Sequence, residues 1–273
     1  MSERKFKNIK IYDNENDIIE HFQMMSTESI CLLTGETEEI KTIVSSILKE
    51  EEWKTWINSS GKGDPPPDFY NDELKIMMEI MRADDHGFIS QKGKTFNPTR
   101  QRESEIMCEL QEKGVLDKFP NAKLFINAVT DLPTQEDHNY EYYRNNFRAT
   151  VEKHIKNIER YKKNHPGYKV IFLIFDESSA YFEMGQPNCN VKMGEMFEAY
   201  PHLWFLDKAF VNAFKDSEID FLIWFTPYKH CDAFSVEDRR CLNLPEAVVY
   251  EVKNMNIPYF RDYKEELMKN AEI

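Results

Sequence analysis

Glycine is scarce in this chain, nine in 273 residues. That scarcity fits the absence of a Gly-x-Gly-x-x-Gly turn and of a Gly-x-x-x-x-Gly-Lys-Ser/Thr loop, the two backbone cradles that bind dinucleotide and nucleotide phosphates; Leu33-Thr34-Gly35-Glu36 offers a single glycine. A Gly-x-Ser-x-Gly elbow and a His-Glu-x-x-His helix are also missing, so the α/β-hydrolase and zincin signatures are absent. The five cysteines (Cys31, Cys108, Cys189, Cys231, Cys241) are odd in number and never form Cys-x-x-Cys, so neither a disulfide framework nor a thiolate zinc site is indicated. No apolar run reaches membrane-spanning length, and Met1-Ser2-Glu3-Arg4-Lys5-Phe6-Lys7 has no apolar signal region behind it, so a cytoplasmic protein without membrane contact is expected. Positive charge is in deficit: 35 Lys and Arg against 48 Asp and Glu leave a net charge of −13. That balance argues against a broad basic nucleic-acid surface, but not against a local basic strip or an acidic protein-binding surface.

What the chain has in quantity is apolar and aromatic residues, 41% and 13%, enough for a sizeable folded core. The elements alternate. Asp17–Phe22 reads as a short helix and Ser29–Thr34 as a strand. Thr37 to Glu51 has helical periodicity, with Thr37 as N-cap, Glu38 and Glu39 in the first turn and Ile40, Ile43, Val44, Ile47 and Leu48 on one side. Trp53–Asn58 reads as a strand. A helix from Asn97-Pro98-Thr99 to Lys113, a strand at Lys123–Val129 and a long helix from Asn139 to Asn164, stopped by Pro166-Gly167, follow. Tyr168–Phe175 is the most apolar strand and is expected at the centre of a sheet. Trp204–Phe214 reads as a helix, Ile219–Thr226 as a second buried strand, and 183–199 as a mobile loop or insertion. The expectation is one α/β domain over 1–273, a mixed central sheet flanked by helices, with a core at about 37–176 and a C-terminal extension at about 177–273.

Chemistry concentrates at Asp64-Pro65-Pro66-Pro67-Asp68-Phe69-Tyr70 and, eleven positions after Asp68, at Glu79 within Leu74–Met81. The prolines impose a stiff, extended entry, Asn71-Asp72-Glu73 supplies a turn, and the resulting hairpin brings Asp68 near Glu79. Two carboxylates on neighbouring strands suit a hard cation such as Mg²⁺ or Mn²⁺, which completes its shell with water and substrate phosphate. The same residues also suit plain turn and sheet-edge roles. Arg82, Asp84, Asp85 and His86, then Lys92, Lys94, Arg100 and Arg102, crowd ionisable groups at the end of this strand.

Pro67-Asp68 followed by Glu79-Ile80 resembles the hairpin of the PD-(D/E)XK nuclease superfamily, although the lysine of that motif is replaced by Met81. The resemblance implies a restriction-endonuclease-like core, Asp68 and Glu79 as metal ligands, and a lysine that orients or activates water; the available substitutes are Lys75, on the same strand face as Glu79 by period two, and Lys92 or Lys94 just downstream. It implies a metal-dependent nuclease acting on nucleic acid, or, if catalysis went with the lysine, a scaffold that binds a protein partner through its acidic surface. Arg144, Arg148, Lys153, Lys156, Arg160, Lys162 and Lys163 form a basic strip with Phe147 and Tyr161 interleaved, which reads equally as a solvated helix face over a packed one. Asp176 or Glu177, at the carboxyl end of the apolar strand, is either a further acid or a cap for the next turn, and Lys229 and His230 end the last strand close to the same cleft.

Overall fold

The computed structural model describes residues 14–60, 67–85, 139–186, 199–227, 229, 241–255 and 260–270, with pieces at 88–89, 95–96 and 231–234 and scattered positions between 102 and 118. Seven strands form one mixed sheet: β1 (Ile30–Leu32), β2 (Trp56–Asn58), β3 (Phe69–Asn71), β4 (Ile76–Ala83), β5 (Lys169–Asp176), β6 (Phe221–Phe225) and β7 (Ala247–Glu251), in the order β1-β7-β6-β5-β4-β3-β2. β2, β3 and β4 are an antiparallel meander, β4, β5 and β6 run parallel, and β7 is antiparallel to β6 and parallel to β1. The α/β class with a mixed sheet between helices is as the sequence predicts, and β5 sits fourth of seven with only Lys169 short of full burial.

The alternation of side chains along each strand divides the core in two. On one face, α1 (Glu15–Phe22) and α2 (Glu38–Leu48) lay Ile18, Ile19, Phe22, Ile40, Ile43 and Ile47 over Met78, Ile80, Ile171, Leu173, Phe175 and Ile223. On the other, α3 (Tyr140–Ile155) and α4 (Ile158–Asn164) lay Tyr143, Phe147, Val151 and Ile158 over Met77, Met81, Phe172, Ile174, Leu222 and Trp224. α1 begins with a capping box between Asn14 and Asp17, and α2 with the Thr37 hydroxyl accepting the Ile40 N–H at 3.2 Å, the cap expected from sequence.

Several elements differ from expectation. The 37–51 helix breaks at Lys49, whose backbone is extended (φ −87°, ψ 122°), and a single turn at Glu50–Trp53 follows. That turn removes Trp53 from β2 and stacks it on Trp56 at 5.3 Å. The long helix bends at Lys156-Asn157 between α3 and α4. Trp204–Phe214 is three short pieces, because Asp207 turns its carboxylate back on the Ala209 N–H and interrupts the helix there. β7, wholly buried apart from Glu251, joins β6 to β1 although its Ala-Val-Val-Tyr run was not assigned. Tyr181–Met184 and Ala199–Pro201 pair in a small antiparallel sheet with Met268–Asn270, while 187–198, the centre of the expected loop, lies outside the described residues, as do the strand expected at 123–129 and most of the helix at 97–113. No described helix is long and apolar enough to cross a membrane.

Candidate active site: an acid pair and a buried carboxylate network

The β3–β4 hairpin is built locally. The Asn71 side chain accepts the Glu73 and Leu74 N–H groups (3.0 and 2.9 Å) and ties the turn, which ends at Lys75 in the left-handed region (φ 55°). The register pairs Phe69 with Met78, so the next pair out is Asp68 and Glu79. Asp68 is held from both sides: its backbone carbonyl accepts the Ser59 N–H at 2.8 Å, and its Oδ2 accepts the Ile80 N–H at 2.8 Å. Tyr70 packs with the cluster under α3 and α4, and Asp68, in the bend just before β3, turns its carboxylate onto the β4 backbone within repulsion range of Glu79.

Glu79 is 7% exposed, and its Oε1 meets His154 Nδ1 at 2.7 Å and accepts the Tyr161 hydroxyl at 2.9 Å. Its buried Oε2 has no hydrogen-bond partner among the described residues. Burial, and then repulsion from Glu79, push the Asp68 carboxyl up from its ordinary 3.8 to about 7, against the opposing pull of the Ile80 N–H; Glu15, at the start of α1, adds to the rise. Burial and the neighbouring Glu79 raise the Tyr161 phenol well above its usual range, so it remains a neutral donor. The result is two adjacent carboxyl groups, one of which retains a proton near neutrality while the other is fixed by two donors from the α3–α4 layer.

The sequence-derived lysines do not join this pair. Lys75 belongs to the turn, not to the strand face it was assigned to by period two, and it lies four residues from Glu79, about 13 Å along β4 at roughly 3.3 Å per residue. Its Nζ donates to the Tyr168 hydroxyl at 3.2 Å instead. Lys92 and Lys94 lie outside the described residues, as does His86. Met81 is 3% exposed and packs in the core beneath α3. His154 and Tyr161 were not singled out from sequence as partners of Glu79; seven residues apart, they share one helical face, and only the sheet opposite identifies their partner.

At the carboxyl end of β5 the structure joins Asp176 to Lys229, from the segment after β6. Asp176 is fully buried, and Lys229, 4% exposed, reaches it at 3.0 Å while donating to Ser178 Oγ at 2.6 Å and Tyr143 OH at 3.1 Å. Asp176 Oδ2 also accepts Trp224 Nε1 at 2.9 Å, and its Oδ1 takes the Ser178 N–H and hydroxyl (3.0 and 2.6 Å), the capping role considered from sequence. Burial pushes the Lys229 amine down, opposed by Asp176. Nearby, buried Asp85 accepts the Ser179 N–H and the Tyr181 hydroxyl (2.9 and 2.6 Å), and buried Asp207 accepts the Tyr140 hydroxyl at 2.6 Å and faces His202 Nε2 at 2.8 Å. Glu177 instead pairs with Arg82 at 3.2 Å. With donors on both oxygens, Asp176 is a clamp between the loop after β5, α3 and the residues after β6, and His230 lies outside the described residues.

No protein-family model, curated protein or solved structure matches this chain.

Proposed function

We propose that this protein is a metal-dependent nuclease of the PD-(D/E)XK type in which Asp68 and Glu79 hold a Mg²⁺ or Mn²⁺ ion. The observation that carries the reading is the acid pair itself: just past the last ladder pair of the hairpin, Phe69 and Met78, the Asp68 carboxylate accepts the Ile80 N–H beside Glu79, whose buried Oε2 has no partner among the described residues. The order helix, antiparallel meander, helix, parallel strand around it supports the same reading.

The pair fits a hard cation. Its donors are all oxygen, and a positive ion would offset both the burial and the repulsion from Glu79 that raise Asp68, with release of the Asp68 proton. Asp68 and Glu79 would supply two oxygen ligands and leave other positions to water and a phosphate, as Mg²⁺ sites commonly do. A bound divalent ion would polarise a phosphodiester and lower the pKa of its water. The protein's own part is orientation: the Ile80 N–H fixes Asp68, and His154 and Tyr161 fix Glu79.

One observation favours a second reading, a nuclease-like scaffold without catalysis that binds a protein through its acidic surface. Met81 occupies the lysine position of the motif and is buried. Isothermal titration with Mg²⁺ and Mn²⁺ decides the first step: the wild type is expected to bind, and an Asp68→Ala, Glu79→Ala variant with native circular dichroism is expected to lose binding. Equal binding by both proteins removes the acid pair as a metal site. Metal binding without cleavage of single-stranded or duplex DNA or RNA selects the scaffold reading.

A further inference from the structure

We propose that the outer flank of α3 and α4, at Lys153, Lys156 and Arg160, is a docking track for the phosphodiester backbone of a nucleic acid. The proposal deepens the nuclease reading and rests on it. The helix layer that holds Glu79 is also where the basic strip lies, but most of that strip is neutralised locally. Arg144 pairs with Glu265 at 2.6 Å, Arg148 with Glu152 at 2.8 Å, Lys162 with Glu218 at 2.6 Å and Lys163 with Glu159 at 3.1 Å. Lys153, Lys156 and Arg160 are exposed and have no ion-pair partner among the described residues. The acids beside them, Glu152 and Glu159, are taken by Arg148 and Lys163. In a protein of net charge −13 this leaves a local positive excess.

Their spacing is ordered. The backbone stays right-handed through the bend (Lys156 φ −60°, ψ −21°; Asn157 φ −90°, ψ −11°), tightened there by bonds from the Asn157 N–H to the His154 carbonyl and from the Arg160 N–H to the Asn157 carbonyl. At about 100° per residue, with the few tightened residues nearer 120°, the three cations fall within about 90° of arc, and they span about 10 Å of axis, roughly three nucleotides of strand rise. His154 and Tyr161, which turn inward to Glu79, alternate with them along the same two helical turns. A backbone lying along this flank runs beside the helix layer that orients the acid pair. Charge without a shaped pocket recognises phosphate rather than base, so the track is expected to be indifferent to sequence.

The test is fluorescence anisotropy with labelled single-stranded and duplex oligonucleotides, in EDTA to prevent cleavage and across a salt series. The K153Q/K156Q/R160Q variant, with circular dichroism as a folding check, is expected to bind at least about tenfold more weakly and to lower the slope of log affinity against log salt by about 2 to 3. Retained affinity with an unchanged slope overturns the track, as does a wild type that binds no oligonucleotide, or that binds phosphatidylserine vesicles in preference to one. The fate of the acid pair is read separately, because the triple variant retains Asp68 and Glu79: unaltered Mg²⁺ titration beside lost oligonucleotide binding places the two functions apart, and loss of Mg²⁺ binding only in the Asp68→Ala, Glu79→Ala variant leaves the track standing.

Discussion

At the scale of single residues, burial decides what each charged group does. Lys229 and Asp176 are both nearly or wholly inaccessible, and each is supplied with neutral donors or an opposite charge. Removing one partner leaves the other charge buried and unpaired, so Lys229→Met is expected to cost about 3–5 kcal/mol in chemical denaturation, whereas the Asp176→Asn, Lys229→Met double variant is expected to lose less than the two single variants summed. Additive losses would mean that the pair is not coupled. Asp176 was legible in the sequence because it ends an apolar strand. Its dependence on Lys229, 53 residues later, was visible only as two polar residues at the ends of two strands.

At the scale of elements, local signals located most of the helices and strands. Thr37 before two glutamates announced the start of α2, and the hydroxyl does accept the Ile40 N–H. Thr37→Ala is expected to lower stability by about 1 kcal/mol, read as a shift in the denaturation midpoint at constant slope; no shift would mean that water replaces the cap. The acid hairpin was equally legible, because prolines, an Asx turn and a period-two strand fix its register over short range. The errors came where a short-range competitor intervened. Asp207 captured the Ala209 N–H and split a periodic helix, and the extended backbone at Lys49 ended α2 before Trp53 could enter β2. Lys75 failed as a strand-face residue because the hairpin required a left-handed residue there.

At the scale of the whole molecule, two opposed titrations contribute to the response of stability to pH in metal-free protein. Asp68 is raised to about 7 in the fold against an ordinary 3.8, so between roughly pH 4 and 7 the unfolded chain releases a proton that the folded one keeps, and stability falls as pH rises through that window. Buried His202 is shifted the other way: burial lowers it below 6.5 despite its hydrogen bond to Asp207, so the unfolded chain takes up a proton first and stability falls as pH drops below that value. Asp68→Asn removes the first effect and spares the second. It is expected to be more stable than wild type at pH 8, by on the order of 1 kcal/mol after solvent screening, and no more stable at pH 4. A parallel pair of stability curves would contradict the raised Asp68.

Composition, periodicity and turn chemistry were sufficient for the α/β class, the central place of β5 and the approach of Asp68 to Glu79, because each depends on residues a few positions apart in one element or one hairpin. The partners of those acids depend on tertiary structure. His154 and Tyr161 reach Glu79 over separations of 75 and 82 residues, and β7 closes the sheet between strands 217 or more positions and about 26 positions away in the chain, β1 and β6. Such contacts leave no local pattern. They follow from which faces of the sheet and helices are apolar enough to be pressed together, and burial then selects, from many polar residues, the few that can satisfy one another.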